Sequence, residues 1–257
     1  MNLKLNNKLF VVTGATSGFG KSIATSLVNE GAKVIINARG EDKLLAFQNQ
    51  HPKHIEILKG DITSDAVISQ LIMQIGSRDL EGVVINAGGP PASSFMETKL
   101  KDWDNAYDSV LRWKVKLTKE IIPVLAKNNY GRLLYIESAS VKQPIENLVL
   151  SNSLRLAVVG FVKTLSQEIA NQGITLNIIA PGYHATPAMD RLFEKKSSLT
   201  GITKKEAKAE FEKHAATGKM GEPEDLASLA TWLLSPHSKY ITGQTISVDG
   251  GLIKSIF

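Results

Sequence analysis

Along the chain, short runs dense in Val, Ile and Leu alternate with longer stretches whose apolar residues recur every three or four positions. The short runs fall at 9–13, 33–38, 55–59, 82–86, 132–138, 175–180 and 245–248, and predict seven strands. The stretches between them predict helices near 19–29, 41–50, 64–76, 99–128, 151–172 and 222–234. Most strand runs are nearly continuous in apolar residues and do not alternate, which is the pattern of strands covered by helices on both faces. Strand and helix in turn predict stacked βαβ units, hence a doubly wound α/β fold around a seven-stranded parallel sheet.

One segment breaks this rhythm. Residues 187–217 hold few apolar side chains, carry a break at 197–201, and then show an amphipathic pattern through Phe211. This predicts a helical insertion near the carboxyl ends of the strands, acting as a lid or standing as a plain surface excursion. With no linker, internal repeat or low-complexity tract, residues 1–257 are expected to form a single domain that includes this insertion.

Composition narrows the class. An apolar fraction of 43% with 21% charged residues excludes a disordered chain, a collagen-like repeat and a coiled-coil rod. No apolar run reaches the 18 or so residues of a spanning helix, and residues 1–8 are polar, so the expectation is a cytoplasmic protein without membrane attachment. The absence of cysteine removes disulfides, thiolate metal sites and a cysteine nucleophile. His51 and His54 are the only close histidine pair; Pro52 between them disrupts the helix that two ligands would need, and no metal site is expected. The net charge of +5 could suit nucleic acid, but Lys195, Lys196, Lys204 and Lys205 are interleaved with Glu194, Glu206, Glu210 and Glu212. That mixture reads as a solvated helix face, and no nucleic-acid partner is expected.

The chemistry concentrates in turns. Thr13-Gly14-Ala15-Thr16-Ser17-Gly18-Phe19-Gly20 follows the first strand and opens the first helix. Glycines there let backbone amides approach a pyrophosphate, and the helix start adds unpaired N–H groups; the alternative is a plain tight turn. At the end of the second strand an acidic residue would bond a ribose 2'-hydroxyl, whereas a cation accommodates a 2'-phosphate. The chain reads Asn37-Ala38-Arg39, which points to NADP(H), with an ordinary surface arginine as the alternative.

Several signatures stand in register with a known family: 13–20, Asp61 after the third strand, Asn86-Ala87-Gly88, Pro181-Gly182 with Thr186, and Ile241-Thr242-Gly243-Gln244 through Asp249-Gly250-Gly251. Over nearly its whole length the sequence resembles the short-chain dehydrogenase/reductases, which implies a Rossmann fold. The resemblance implies that Gly14, Thr16, Ser17, Gly18, Phe19 and Gly20 meet the pyrophosphate side and that Asp61 and Ile62 flank adenine. It further implies that Asn86, Ala87 and Gly88 line the adenosine side and that Pro181, Gly182 and Thr186 hold the nicotinamide.

Family members usually carry an active-site Asn, Ser, Tyr and Lys. Here those positions fall on Val110, Ser138, Ser151 and Arg155, so Ser138 alone keeps the family residue. A serine is a far weaker acid than tyrosine and arginine is never deprotonated, although Arg155 could still bond the nicotinamide ribose. The stretch 147–155 is similar to a divergent, 3-oxoacyl-acyl-carrier-protein reductase-like branch that lacks the Tyr-x-x-x-Lys pair. Tyr183 and His184 are replacement acids by position, with Tyr183 packed on the lid and His184 facing water as the plainer reading. Glu137 is expected on the opposite side of its strand from Ser138, away from the cleft.

Two functions follow. One is an NADP(H)-dependent oxidoreductase acting on a small carbonyl or alcohol substrate, with Ser138 polarising the oxygen and Tyr183 or water delivering the proton. The other is a catalytically inactive dinucleotide-binding sensor or assembly module. The resemblance also implies a homo-oligomer, a tetramer, with Leu148, Leu150, Leu154, Val158 and Phe161 as apolar surface for subunit contact.

Overall fold

In the computed structural model, which describes residues 1–256 and every side chain among them except that of Lys195, seven parallel strands form one sheet in the order β3-β2-β1-β4-β5-β6-β7. The strands are β1 (Leu9–Thr13), β2 (Lys33–Ala38), β3 (Ile55–Lys59), β4 (Leu80–Ile85), β5 (Gly131–Ile136), β6 (Ile174–Pro181) and β7 (Thr245–Val248). Helices α1 (Gly18–Asn29), α2 (Glu41–Gln50) and α9 (Pro223–Leu233) cover one face; α3 (Asp65–Ile75), α5 (Trp113–Ala126) and α6 (Val149–Ile169) cover the other.

The continuous apolar runs have a direct explanation in this layering. Successive residues of a strand point to opposite faces, so Phe10 and Val12 enter one core while Leu9 and Val11 enter the other, and Leu134 and Ile136 oppose Leu133 and Tyr135 in the same way. With no face left to water, no polar alternation is needed.

One long helix expected over 99–128 is three pieces: α4 (Leu100–Tyr107), a π-turn (Asp108–Arg112) and α5. A π-turn inserts a residue and rotates everything after it, and such turns are frequent at functional sites. Here it buries Val110 in the core and places its neighbour Ser109 at the cleft described below. Pro123 lies inside α5 without ending it.

The stripe expected to serve subunit contact is largely used within the chain. Leu150 and Val158 are buried, and Leu154 and Phe161 pack against the same core, because α6 lies across β5 and β6 with most of its apolar face inward. Leu148 is partly buried and Leu156 is exposed. The segment 187–217 contains α7 (Pro187–Thr200) and α8 (Lys204–Glu212) around a small cluster of their own, Met189, Phe193 and Ala207, with Tyr183, Ile202, Phe211 and Met220 packed against it. Gly201 closes α7 in the left-handed region (φ +75°), and a capping box between Thr203 and Glu206 starts α8.

Trp113, fully buried with its Nε1 donating to the carbonyl of Ser109 (2.9 Å), anchors the helix layer just after the π-turn. Trp113→Ala is expected to cost about 3–5 kcal/mol in urea unfolding; a loss below about 1 kcal/mol would show that this face is not close-packed.

Candidate active site

β1 and β4 are neighbours in the sheet although β2 and β3 intervene in sequence, so the chain leaves them in opposite directions and opens a crevice at their carboxyl ends. Thr13 fixes this opening. Its hydroxyl donates to the Asn86 carbonyl (2.7 Å) and accepts from the Asn86 amide (2.8 Å), while Asn86 Nδ2 reaches the carbonyls of Thr13 and Gly14 (3.3 Å each). Between them the glycine turn is compressed. A Cβ on Gly20 would lie 2.2 Å from the Gly14 carbonyl oxygen, and Gly14 itself sits at φ +60°, so only glycine fits both positions.

From this turn a cleft of about 940 Å³ runs across the strand ends. Gly14, Thr16, Ser17, Gly18 and Phe19 line it at the helix start, with Arg39, Asp61, Ile62, Asn86, Ala87 and Gly88 on the side of β2 to β4. Gly20 supports the turn from beneath. The far end is lined by Gly89, Ser109, Ile136, Glu137, Arg155, Thr186 and Arg191. Such a trough, with amides at a helix start and a cation at one end, fits a dinucleotide carrying an extra phosphate. Thr186 caps α7, accepting from the Met189 amide (3.4 Å), and its methyl lies where a Cβ on Gly18 would touch it. Pro181 and Gly182 stand behind the cleft, where the Gly182 amide donates to Val248 (2.9 Å) and the Asp249 backbone leaves no room for a Cβ.

Around Arg39 the polar groups divide by task. Asn37 is buried and gives its Nδ2 hydrogens to the Leu58 and Gly60 carbonyls (3.0 and 3.1 Å), tying β2 to β3. Glu41 pairs with Lys59 (2.6 Å). Arg39 is exposed at the cleft just before α2, and Lys43, in the first turn of α2, lines it too. Arg39 just before α2 and Lys43 in its first turn are two cations close in the sequence, a signal available there.

At the end of β5 the expected geometry is corrected. Glu137 lines the cleft, whereas Ser138 is partly buried and its Oγ accepts from the Ser140 amide (3.2 Å), capping a short turn. Ile136 is the last strand residue; beyond it strict alternation no longer governs direction. Glu137 is wholly enclosed between two cations: Lys114 Nζ donates to its Oε1, and Arg155 Nη1 donates to its Oε2 at 2.8 Å. Arg155 Nε donates to Ser151 Oγ (3.1 Å). Burial holds the Lys114 ammonium below its ordinary pKa, Glu137 opposes that shift and Arg155 adds to it. Lys114 carries little signal in the sequence, because its partner Glu137 lies past the end of a later strand, β5.

The two replacement acids considered from position lie elsewhere. Tyr183 packs edge to face on Phe211 (5.0 Å) in the lid cluster, and burial raises its pKa. His184 does not face water: it is buried, stacks edge-on against Phe19 (5.0 Å), and its Nδ1 lies 3.1 Å from the Gly182 carbonyl. Since a carbonyl can only accept, Nδ1 carries the hydrogen. Among the described residues no group of three or more His, Asp or Glu could hold a metal ion, and no helix is long and apolar enough to cross a membrane.

Residues 14–253 match the family model described as enoyl-(acyl carrier protein) reductase. The chain belongs to the short-chain dehydrogenase/reductase family. Within it, the chain is 32% identical to the 3-oxoacyl-acyl-carrier-protein reductase FabG of Rickettsia bellii, over 98% of this chain and 99% of that protein. It superposes on YwfH, an NADPH-dependent reductase involved in bacilysin biosynthesis, with a TM-score of 0.92 and 26% identity over 98% of this chain and 100% of that one. It also superposes on a point variant of actinorhodin polyketide ketoreductase with NADPH, with a TM-score of 0.90 and 28% identity over 97% and 98% of the two chains.

His184 gives the site a pH signature. Burial lowers its pKa from the ordinary 6.5, so below that value the unfolded chain takes up a proton that the folded chain resists. Stability is therefore full above pH 6.5 and declines as the pH falls beneath it. Thermal melting from about pH 8 to about pH 5 should show this decline, and His184→Gln should flatten it; an identical slope in the variant would assign the decline to other groups.

Proposed function

We propose that this protein is an NADP(H)-dependent reductase of carbonyl compounds, of the 3-oxoacyl class on which its relatives are named, working with a non-standard active site. The observation that carries the proposal is the continuity of the cleft: one trough joins the cationic pair Arg39 and Lys43, the glycine turn, and the polar end formed by Thr186, Glu137 and Arg155. Bound NADPH supplies the hydride.

The chain's own residues then have separable tasks. Amides of Ser17 to Gly20 face the pyrophosphate, Asp61 and Ile62 border adenine, and Arg39 with Lys43 takes the 2'-phosphate. Asp61 is fixed for this by accepting from the Thr63 amide and hydroxyl (3.0 and 2.9 Å). Asn86 to Gly88 border the middle of the cofactor, and Pro181, Gly182 and Thr186 the nicotinamide end. Ser138 accepts from Ser140 and so keeps its own hydroxyl hydrogen to donate to a substrate oxygen. At the positions that the family resemblance assigns to Asn, Tyr and Lys stand Val110, Ser151 and Arg155 in this reading, and none of these offers a side chain of tyrosine-like acidity. Helices α7 and α8, which rest on a cluster separate from the two main cores, act as the lid.

A guanidinium–phosphate contact is worth about 1.5–3 kcal/mol, or roughly 10- to 100-fold in affinity. Arg39→Ala is expected to weaken NADPH by that factor and leave NADH nearly unchanged, read by cofactor fluorescence. Equal affinities for the two cofactors in the unaltered protein, or an NADPH affinity insensitive to Arg39→Ala, would overturn the cofactor assignment.

A further inference from the structure

Resting on the reading of this cleft as a carbonyl reductase site, we infer that Arg155 is a catalytic residue whose free guanidinium edge receives the substrate's carbonyl oxygen and carries its negative charge, with Glu137 and Lys114 as positioning residues.

Three observations meet at this side chain. First, its orientation is fixed on two sides: Nη1 donates to Glu137 and Nε to Ser151, and Glu137 is itself held by Lys114. Second, Nη2 donates to no protein group among the described residues. It lies beside Gly89, where a Cβ would come within 2.9 Å of it, and Gly89, Glu137 and Arg155 all line the cleft. Third, the cluster places two cations against one carboxylate, so with all three groups ionised one positive charge is uncompensated in a largely buried setting. Arg155 is the cation of the two that borders the cleft. A preoriented, largely buried donor with net charge, set at the edge of the cleft, is the kind of arrangement that stabilises an oxyanion.

The other ionisable groups at the cleft do not compete for the task. Asp42, Asp61, Arg39 and Lys43 stand with the β2 and β3 ends, and Arg191 projects from α7 and is exposed; Tyr183 and His184 lie off the cleft lining, engaged with the lid and Phe19. In the step that follows, the carbonyl carbon accepts hydride from reduced nicotinamide. The π pair of the C=O bond moves onto oxygen and the alkoxide is held by Arg155. A proton from solvent water completes the alcohol, leaving oxidised nicotinamide and hydroxide that the buffer neutralises. The substrate is reduced and the cofactor oxidised by two electrons.

The test uses ethyl acetoacetate as the carbonyl probe, with NADPH oxidation, NADPH fluorescence titration and thermal melting read on each variant. Arg155→Ala leaves Lys114 and Glu137 as a balanced buried pair, so the fold is expected to persist. Its kcat should fall by about 100- to 1,000-fold, while NADPH still binds, and added guanidinium chloride at non-denaturing concentration should restore part of the rate saturably. Glu137→Gln with Lys114→Met keeps the cluster at one positive charge but loosens the clamp; kcat should fall with KM and NADPH affinity little changed, and guanidinium should not rescue it. Arg155→Ala turning over the probe at the wild-type rate, or losing rate only in step with NADPH binding and without rescue, would overturn the role of Arg155 and leave the reductase reading standing. NADPH bound by the wild type with no turnover of the probe would overturn the reductase reading itself, and this inference with it.

Discussion

The reciprocal bonds between Thr13 and Asn86 are the constraint on which the site depends. They hold the ends of β1 and β4 together at the point where the chain departs to opposite faces of the sheet, and so keep the crevice from closing or splaying. Everything placed at the crevice is referred to them: the Gly14 turn packs on Asn86, and Gly20, in the first turn of α1, packs on Gly14. Because Thr13 both donates and accepts, replacing it by valine would leave the amide and carbonyl of Asn86 without their partner in a mostly buried setting, an expensive loss for so small a change of shape.

The elements that sequence reveals best are those whose neighbours are dictated by solvent exclusion. The central apolar runs, with no polar alternation, call for cover on both faces, whereas the edge strands β3 and β7 carry polar residues and are less buried, and the glycine-bearing signatures mark turns where a side chain has no room. Gly182 against Asp249 and Gly20 against Gly14 make that steric reason visible. The π-turn at Asp108–Arg112 leaves no comparable trace, since it needs neither glycine nor proline and interrupts no hydrophobic period long enough to notice. Asn37 is legible as a non-acidic residue but not as the tie between β2 and β3 that its buried amide makes.

Glu137 shows where pattern reasoning fails. Alternation predicts side-chain direction within a strand, and β5 stops at Ile136, so the rule ends one residue short of Glu137. Lys114 is harder still. A lysine between Trp113 and Val115 on an amphipathic helix ordinarily extends its stem toward water. It is buried here because the Glu137 carboxylate from the end of β5 meets it, against the repulsion of the Arg155 guanidinium that shares that carboxylate, and that conjunction exists only once α5, β5 and α6 are layered.

The energetics of this trio are asymmetric, and the asymmetry has a chemical meaning. Removing the single carboxylate would strand two like charges, and breaking a buried pair in that way costs about 3–5 kcal/mol. Removing either cation leaves a neutral pair. The cluster therefore tolerates loss of the very charge that faces the cleft, which sets Arg155 apart from a residue retained for folding alone. Burial also weakens the hold of Lys114 on its proton, with Arg155 working in the same direction and Glu137 against both. Adding an anion in the cleft beside Arg155 would favour the protonated ammonium, because it offsets part of the guanidinium charge that opposes it.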